Sequence, residues 1–183
     1  MLAAAAVAAV AFAAGGQSGT RSSRSVRLNR FAYLAAQRSN RCDLQARAIL
    51  SYPDSRRPQG SCCERMDRPS YMWQRRQLRR YRGIAQIPSE PYDIPARLAK
   101  QLLRLDSSIS LSPQQGGVYA RAMKMTSEHG PCCCRCWRWN AVEGLARYLI
   151  ATRRWQAGEL AHLVDALNGC GGRSHALGSS ARS

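Results

Sequence analysis

Apolar residues recur every three or four positions along much of this chain, the spacing that places side chains on one face of an α-helix. Three such series stand out: Leu98, Leu102 and Leu105; Val142, Leu145, Ala146 and Leu149; and Leu160, Leu163, Val164 and Leu167. No alternating run of useful length indicates a strand. The pattern predicts an all-α protein, a small bundle of about five helices with a cysteine-rich loop and flexible ends.

Polar residues mark where several of these helices begin. Ser112 and Gln115 have the spacing of a capping box. Asp93 stands two residues before Pro95, as an N-cap before a proline in the first turn, and Ser70 is expected to cap the helix that follows it. One expected helix follows the cysteine motif and carries Val142, Leu145, Ala146 and Leu149. The other expected helices span 42–50, 70–82, 93–105, 112–126 and 157–167.

The two ends of the chain differ in composition from its middle. Residues 1–14 form an alanine-rich apolar run that suits a signal peptide and is too short to span a membrane, although no basic residue precedes it. An atypical signal, a start further upstream and an alanine-rich tail are the interpretations it allows. Residues 15–40 are expected to be a flexible linker and 173–183 a disordered tail. The predicted folded domain is 41–172, with no later membrane span.

The net charge suggests which partners the chain binds, and the cysteine count suggests which kinds of site it contains. The net charge of +17 favours polyanions and anionic surfaces as partners. The basic residues are almost all arginine, however, and arginine with alanine is also what a GC-rich genome encodes. A chain of 183 residues can bury a core without covalent clips, so its 8 cysteines indicate disulfides, a metal site or redox chemistry.

Four of those cysteines occupy five positions, in the segment Pro131-Cys132-Cys133-Cys134-Arg135-Cys136. Alternating thiolates in a loop can converge on a soft metal ion such as Cu(I) or Zn(II). The predicted metal ligands are therefore Cys132, Cys133, Cys134, Cys136 and, nearby, Cys170. Cys133 and Cys136 also form a C-x-x-C pair, whose thiol pKa is lowered when it stands at a helix start.

Other uses of the cysteines stay open. Cys42, Cys62, Cys63 and Cys170 lie outside the motif, so each motif cysteine can be bridged to an outer one in a disulfide-stapled fold. His129, three residues before Cys132, is expected to be a solvated loop residue rather than a ligand. An oxidoreductase is the least favoured interpretation because no βαβ context accompanies the C-x-x-C pair. The chain is more readily understood as a binding protein than as an enzyme.

Residues 119–136, YARAMKMTSEHGPCCCRC, resemble exported bacterial proteins that carry a PCYCGC or CYCxC motif. In both, a helix precedes a P-C-x-C-x-C series and amphipathic helices follow it. The resemblance covers about 50 residues. Here Cys133 and Arg135 replace the usual tyrosine and glycine, and no lipid-attachment cysteine follows the apolar N-terminus. The resemblance implies an extracytoplasmic location and a role in metal or thiol handling.

An arginine-rich helix is the second site that the sequence suggests. Arg75, Arg79 and Arg82 are spaced to share one face, with Arg76 and Arg80 beside it, and Tyr71, Trp73 and Tyr81 are interleaved. Arginine with aromatic residues is typical of nucleic-acid binding and of anionic membrane surfaces. The simpler interpretation is a solvated helix whose Tyr71 and Leu78 pack on the core. The alternative function is thus an interaction module that binds a polyanion or a partner protein.

Overall fold

The computed structural model describes residues 29–173, and in them the chain forms seven α-helices. They are α1 (29–36), α2 (Ala46–Ser51), α3 (Arg68–Leu78), α4 (Ala96–Ser108), α5 (Pro113–Met125), α6 (Trp137–Arg153) and α7 (Ala157–Ala166). A short 3-10 turn, Arg79–Tyr81, extends α3. Within 29–173 there is no strand, only two isolated β-bridges. The all-α prediction is confirmed, although about five helices was too low a count.

Of the helices α2 to α7, α3 and α5 begin with a side-chain cap. The capping box at α5 is confirmed, since the Ser112 hydroxyl accepts from the Gln115 N–H and the Gln115 side chain accepts from the Ser112 N–H. At α3 the expected cap was wrong by three residues. Asp67 is the N-cap, and its carboxylate accepts from the N–H of Ser70 at 2.9 Å and from its hydroxyl at 2.6 Å, so Ser70 lies inside the first turn.

The expected cap of α4 was also wrong. Pro95 is the N-cap, and the helix begins at Ala96. The Asp93 carboxylate cannot cap this helix because it is engaged elsewhere, by the guanidinium groups of Arg30 and Arg57. Ion pairs with residues distant in sequence have thus replaced the capping role that the local sequence predicted for Asp93.

Helices α4 and α6 pack against each other at the centre of the molecule. Leu102 on α4 and Leu145 and Leu149 on α6 are at most 1 % exposed. Each such leucine contributes about 1.5–3 kcal/mol by leaving water. The two backbones approach so closely that a Cβ on Gly144 would strike the Leu102 carbonyl oxygen. Helix α7 packs on α5 and α3, which closes the bundle.

Part of the expected flexible linker, 15–40, is folded. Residues 29–36 form α1, and Leu34 is completely buried in a small second core with Met66, Tyr71 and Tyr92. One buried leucine per short helix gives little periodic signal, which is why the sequence did not reveal it. Residues 1–28 and 174–183, with the expected signal peptide and most of the expected tail, lie outside the described residues.

No helix of 29–173 has both the length and the apolar character that crossing a membrane requires. Three tryptophans pack inside the bundle or against the cysteine cluster. Trp137 and Trp155 are buried in the main core, and Trp139 packs against the cysteines.

Candidate metal centre

Four separate stretches of chain bring all eight cysteines into one cluster. Cys42 precedes α2, Cys62 and Cys63 precede α3, the motif cysteines lie between α5 and α6, and Cys170 follows α7. The sulfurs of Cys63 and Cys133, 70 residues apart in sequence, are 3.1 Å apart. The cluster is therefore a product of tertiary folding and not of the motif alone.

Backbone hydrogen bonds hold the Cys62 and Cys170 segments side by side. The Cys62 N–H donates to the Gly169 carbonyl at 3.1 Å, and the N–H groups of Cys63 and Glu64 both donate to the Cys170 carbonyl, at 3.2 and 2.8 Å. Gly171 has a φ of 89°, and a Cβ there would strike the Glu64 carbonyl. Only glycine allows this close pairing.

The motif loop is fixed at both of its ends. Before it, the Thr126 hydroxyl accepts from the Gly130 N–H at 3.0 Å and donates to the Met123 carbonyl at 2.8 Å. After it, Cys136 is the N-cap of α6, and the Trp137 N–H donates to the Leu44 carbonyl at 2.8 Å. The loop is thus attached to the helical bundle on either side of its thiols.

Two sulfur contacts define the cluster's inner and outer parts. Cys42 and Cys63 lie at disulfide distance, with their Cα atoms 6.0 Å apart, and Cys63 is exposed. On the inner side the sulfurs of Cys132 and Cys170 are 3.4 Å apart, and both residues are buried. The cluster therefore joins a pair at the surface to thiols in the interior.

Within 29–173, three sets of four cysteines place all their sulfurs within 4.8 Å of one another: Cys42, Cys62, Cys63 and Cys134; Cys62, Cys132, Cys133 and Cys134; and Cys62, Cys63, Cys133 and Cys170. Four thiolates at about 2.3 Å around a tetrahedral zinc ion would be about 3.8 Å apart. The sets are compatible with that geometry. Cys62 belongs to all three.

The structure distributes the five predicted ligands unevenly. Cys132, Cys133 and Cys134 join Cys62 in one set, and Cys170 joins a different set. Cys136 belongs to none of the three, although it is buried in the same cluster with Cys132 and Cys170. Cys62 and Cys63 were not among the predicted ligands. Their adjacency was the sequence signal, but nothing in it showed that they meet the motif.

Thiol acidity is unequal within the cluster. The pKa of Cys132 lies far below its usual range because Cys136, Cys170 and Cys62 direct hydrogen bonds to its sulfur. Those same hydrogen bonds raise the pKa of the three donors. Cys132 is thus the position where a thiolate is most stabilised, and the surrounding thiols become harder to ionise as a result.

The more accessible thiols are not activated. Burial raises the pKa of Cys133 to about 12 and that of Cys134 to about 11. The expectation that a helix start lowers the pKa of the C-x-x-C pair was wrong. Cys136 stands at the start of α6, but its hydrogen bond to Cys132 raises its pKa more than the hydrogen bond from the Arg138 backbone lowers it.

A buried guanidinium adjoins the cluster. Arg138 is 2 % exposed, and its Nη2 donates to the Leu167 carbonyl at 2.7 Å. Its Nη1 has no hydrogen-bond partner in 29–173, and no carboxylate there lies within ion-pair distance of it. The guanidinium occupies the place where a Cβ of residue 169 would lie, so Gly169 makes room for it.

The positive charge of Arg138 acts on the cluster. After the hydrogen bonds from neighbouring thiols, it is a further cause that lowers the pKa of Cys132, and it opposes the rise in the pKa of Cys62. A buried cation without a carboxylate needs a negative partner. A thiolate in the cluster would supply one, since the charge of Arg138 acts on Cys132 and Cys62. Nothing in the sequence marked Arg138 for this role, because arginine is abundant throughout the chain.

His129 is not part of the cluster. It is exposed, and its Nδ1 lies 3.2 Å from the Lys124 carbonyl oxygen. The three sets of possible ligands within 29–173 contain only cysteines. This agrees with the interpretation of His129 as a loop residue.

The predicted polyanion residues divide between two surfaces. Arg75, Arg76, Arg79 and Arg82 line one groove, whereas Arg80 lines another with His162. Arg80, which lies in the 3-10 turn after α3, therefore does not line the groove of the other four. The core positions were right: Tyr71 and Leu78 are each 2 % exposed.

Comparison of the chain with protein families, curated proteins and solved structures gave no match. The arrangement of residues in this fold is therefore what bears on its function.

Proposed function

We propose that this chain is an extracytoplasmic protein that binds a soft metal ion through Cys62, Cys132, Cys133 and Cys134. One observation carries the proposal. Of the three sets of four sulfurs, this is the one that includes neither member of the Cys42–Cys63 pair. It alone of the three keeps four free thiols when that pair is a disulfide.

The donor set favours Zn(II) or Cu(I). Thiolate is the ligand that both ions accept readily, and four sulfurs suit a tetrahedral zinc site. A zinc ion with four thiolates carries two negative charges. The buried guanidinium of Arg138 offsets part of that charge, which gives a function to a cation that otherwise lacks a negative partner.

Three features support an extracytoplasmic location. The Cys42–Cys63 pair at disulfide distance suits an oxidising compartment. The apolar residues 1–14 suit an export signal, and the motif resembles that of exported PCYCGC-type proteins. A metal site beside a disulfide is consistent with such a compartment.

A structural role for all the cysteines is the second candidate. The 3.4 Å contact between the sulfurs of Cys132 and Cys170 favours it, since oxidation there would add a second bridge. Thiol exchange has less support. The thiol with the lowered pKa, Cys132, is buried, and the exposed thiol of Cys133 has a pKa of about 12.

The test is native mass spectrometry of the chain after titration with zinc and, separately, with Cu(I). Cys134→Ser removes one proposed ligand, and Cys42→Ser is the matched control, since it removes a cysteine of the cluster that is outside the proposed set. We expect Cys134→Ser to weaken zinc binding by at least about 100-fold. Cys42→Ser should keep one zinc ion per chain. Far-UV circular dichroism of both variants checks that the helices remain.

Thiol alkylation locates the ion independently. Zinc should protect Cys62, Cys132, Cys133 and Cys134 from alkylation under mild denaturation, and mapping by peptide mass shows which residues are protected. A chain that takes up no metal and shows eight cysteines in disulfides would rule out the proposal and establish the structural role. Equal loss of zinc in both variants would assign the ion to another set of thiols.

A further inference from the structure

A groove between α1 and α3 gathers arginines from both helices. Arg30 of α1 faces Arg75 and Arg76 of α3, Arg79 of its extension and Arg82 directly after it, with a volume of about 390 Å³ between them. Tyr71 and Met72 complete the lining. The residues that line the groove are all different from those of the cysteine cluster, so a ligand of the groove is independent of the proposed metal site.

Buried carboxylates hold two of these arginines in place. Arg30 pairs with Asp93, whose side chain is 2 % exposed, and Arg75 pairs with Glu90, whose side chain is 8 % exposed. Glu90 also accepts from the Tyr71 hydroxyl at 3.0 Å. Arginine side chains that a buried carboxylate already holds lose less conformational freedom when a ligand binds them.

The other three arginines have no such partner. In the part of the chain that the structure describes, no carboxylate lies within ion-pair distance of Arg76, Arg79 or Arg82. The groove has five guanidinium groups, and two carboxylates neutralise at most two of their charges, so at least three positive charges remain. Asp93 also pairs with Arg57, outside the groove, which leaves less of its negative charge for Arg30. Like charges at helical spacing repel one another, and an anion in the groove would relieve that repulsion.

The aromatic residues of α3 and its 3-10 extension do not offer a platform for bases. Tyr71 is 2 % exposed, Tyr81 is 9 % exposed, and Trp73 stacks edge-on against His162 while packing on the main core. Single-stranded nucleic acid is bound largely by stacking on exposed rings. The groove instead offers forked guanidinium donors, which match phosphate oxygens.

We propose that this groove binds a compact anion that carries two or three phosphate groups close together. A free condensed phosphate and the headgroup of a multiply phosphorylated lipid share that chemistry. The volume suits one small ligand, and the concave shape favours clustered charge over a flat anionic surface.

The probe is inorganic tripolyphosphate, titrated into the full chain by calorimetry. Arg76→Gln with Arg79→Gln should weaken its binding by at least about tenfold. Arg80→Gln is the matched control, since Arg80 lies on the same helix extension but lines another groove. It removes the same kind of charge and should change the affinity by less than about twofold. Single orthophosphate should bind more weakly than tripolyphosphate.

Vesicles distinguish the two sources of phosphate. Binding to vesicles with a bisphosphorylated inositol headgroup, lost in the double variant and retained in Arg80→Gln, supports the lipid source. Tripolyphosphate binding without vesicle binding supports the free source. The proposal is overturned if Arg80→Gln weakens binding as much as the double variant, because the attraction is then diffuse. It is also overturned if a single-stranded oligonucleotide or phosphatidylserine vesicles of equal charge bind better than tripolyphosphate.

Discussion

The cysteine cluster and the arginine groove each concentrate one residue type, but the chain assembles them in different ways. Four of the five groove arginines follow one another along α3 and its extension. The cluster draws on four stretches of chain that loops and backbone pairing bring together. A site on one helix can be inferred from periodicity, whereas a site made of loops depends on contacts distant in sequence.

The cysteine cluster and the arginine groove also differ in how far their side chains are buried. The inner cysteines and the adjoining Arg138 are buried, whereas Arg76, Arg79 and Arg82 are exposed. Charge in the cluster must be balanced within the protein, because water cannot solvate it. Charge in the groove is solvated, so it is available to a ligand from solution.

The largest expected effect is that of Cys62→Ser. Because Cys62 belongs to every set of four sulfurs, its loss removes all three sites at once, and zinc affinity should fall by about 100-fold or more. Cys42→Ser is the control, since it leaves the set of Cys62, Cys132, Cys133 and Cys134 complete. Competition with a chromogenic chelator measures both affinities. A Cys62→Ser protein that still binds zinc tightly would show that Cys62 is not a ligand.

The next largest effect is that of salt, which should weaken ligand binding at the groove more than zinc binding at the cysteine cluster. Raising sodium nitrate from about 50 mM to about 200 mM should weaken tripolyphosphate binding at the groove by at least about tenfold, since exposed charges are screened. Zinc affinity of the buried cluster should change by less than about threefold under the same conditions. Calorimetry at both salt concentrations gives the two ratios. Equal salt dependence would contradict the difference in burial.

A smaller effect is expected for Arg138→Met. Without the buried cation, zinc affinity should fall by about tenfold, because the charge of the thiolates loses its neighbour. Stability of the metal-free protein in urea should be unchanged or higher, since an apolar side chain of similar size replaces an incompletely paired charge.

The control for Arg138→Met is Arg135→Met. Arg135 is exposed and stacks 4.5 Å over the Trp139 ring. Its replacement should alter zinc affinity by less than about threefold, because its charge is solvated. If both variants lose affinity equally, the effect comes from the overall positive charge and not from the buried guanidinium.

The smallest effect concerns His162, beside Arg80 and outside the arginine groove. Burial, and then the charge of Arg80, lower the pKa of His162. Arg80→Gln should therefore raise that pKa, but not above the usual value for histidine, because the burial remains. Proton NMR titration of the imidazole measures the shift. Arg76→Gln should leave the pKa of His162 unchanged. An equal shift in both variants would show that Arg80 acts on His162 no more strongly than Arg76 does.

Local patterns in the sequence were enough to predict the helical class, the capping box at Ser112 and the core positions of Tyr71 and Leu78. These features depend on spacing over a few residues, which is visible in one dimension. The dense motif likewise indicated where the cysteine cluster of the folded chain would lie. Prediction failed where residues distant in the chain compete for the same group, as when Arg30 and Arg57 take Asp93 from its expected role as a helix cap.

Membership of the two sites became visible only in the folded chain. Folding brought Cys62 and Cys63 to the motif, left Cys136 outside the sets of four, and turned Arg80 away from the groove while adding Arg30. It also buried Arg138 beside the thiols. The cause is the same in each case: distance, burial and charge balance are properties of chain segments packed together, and no local pattern encodes which segments meet.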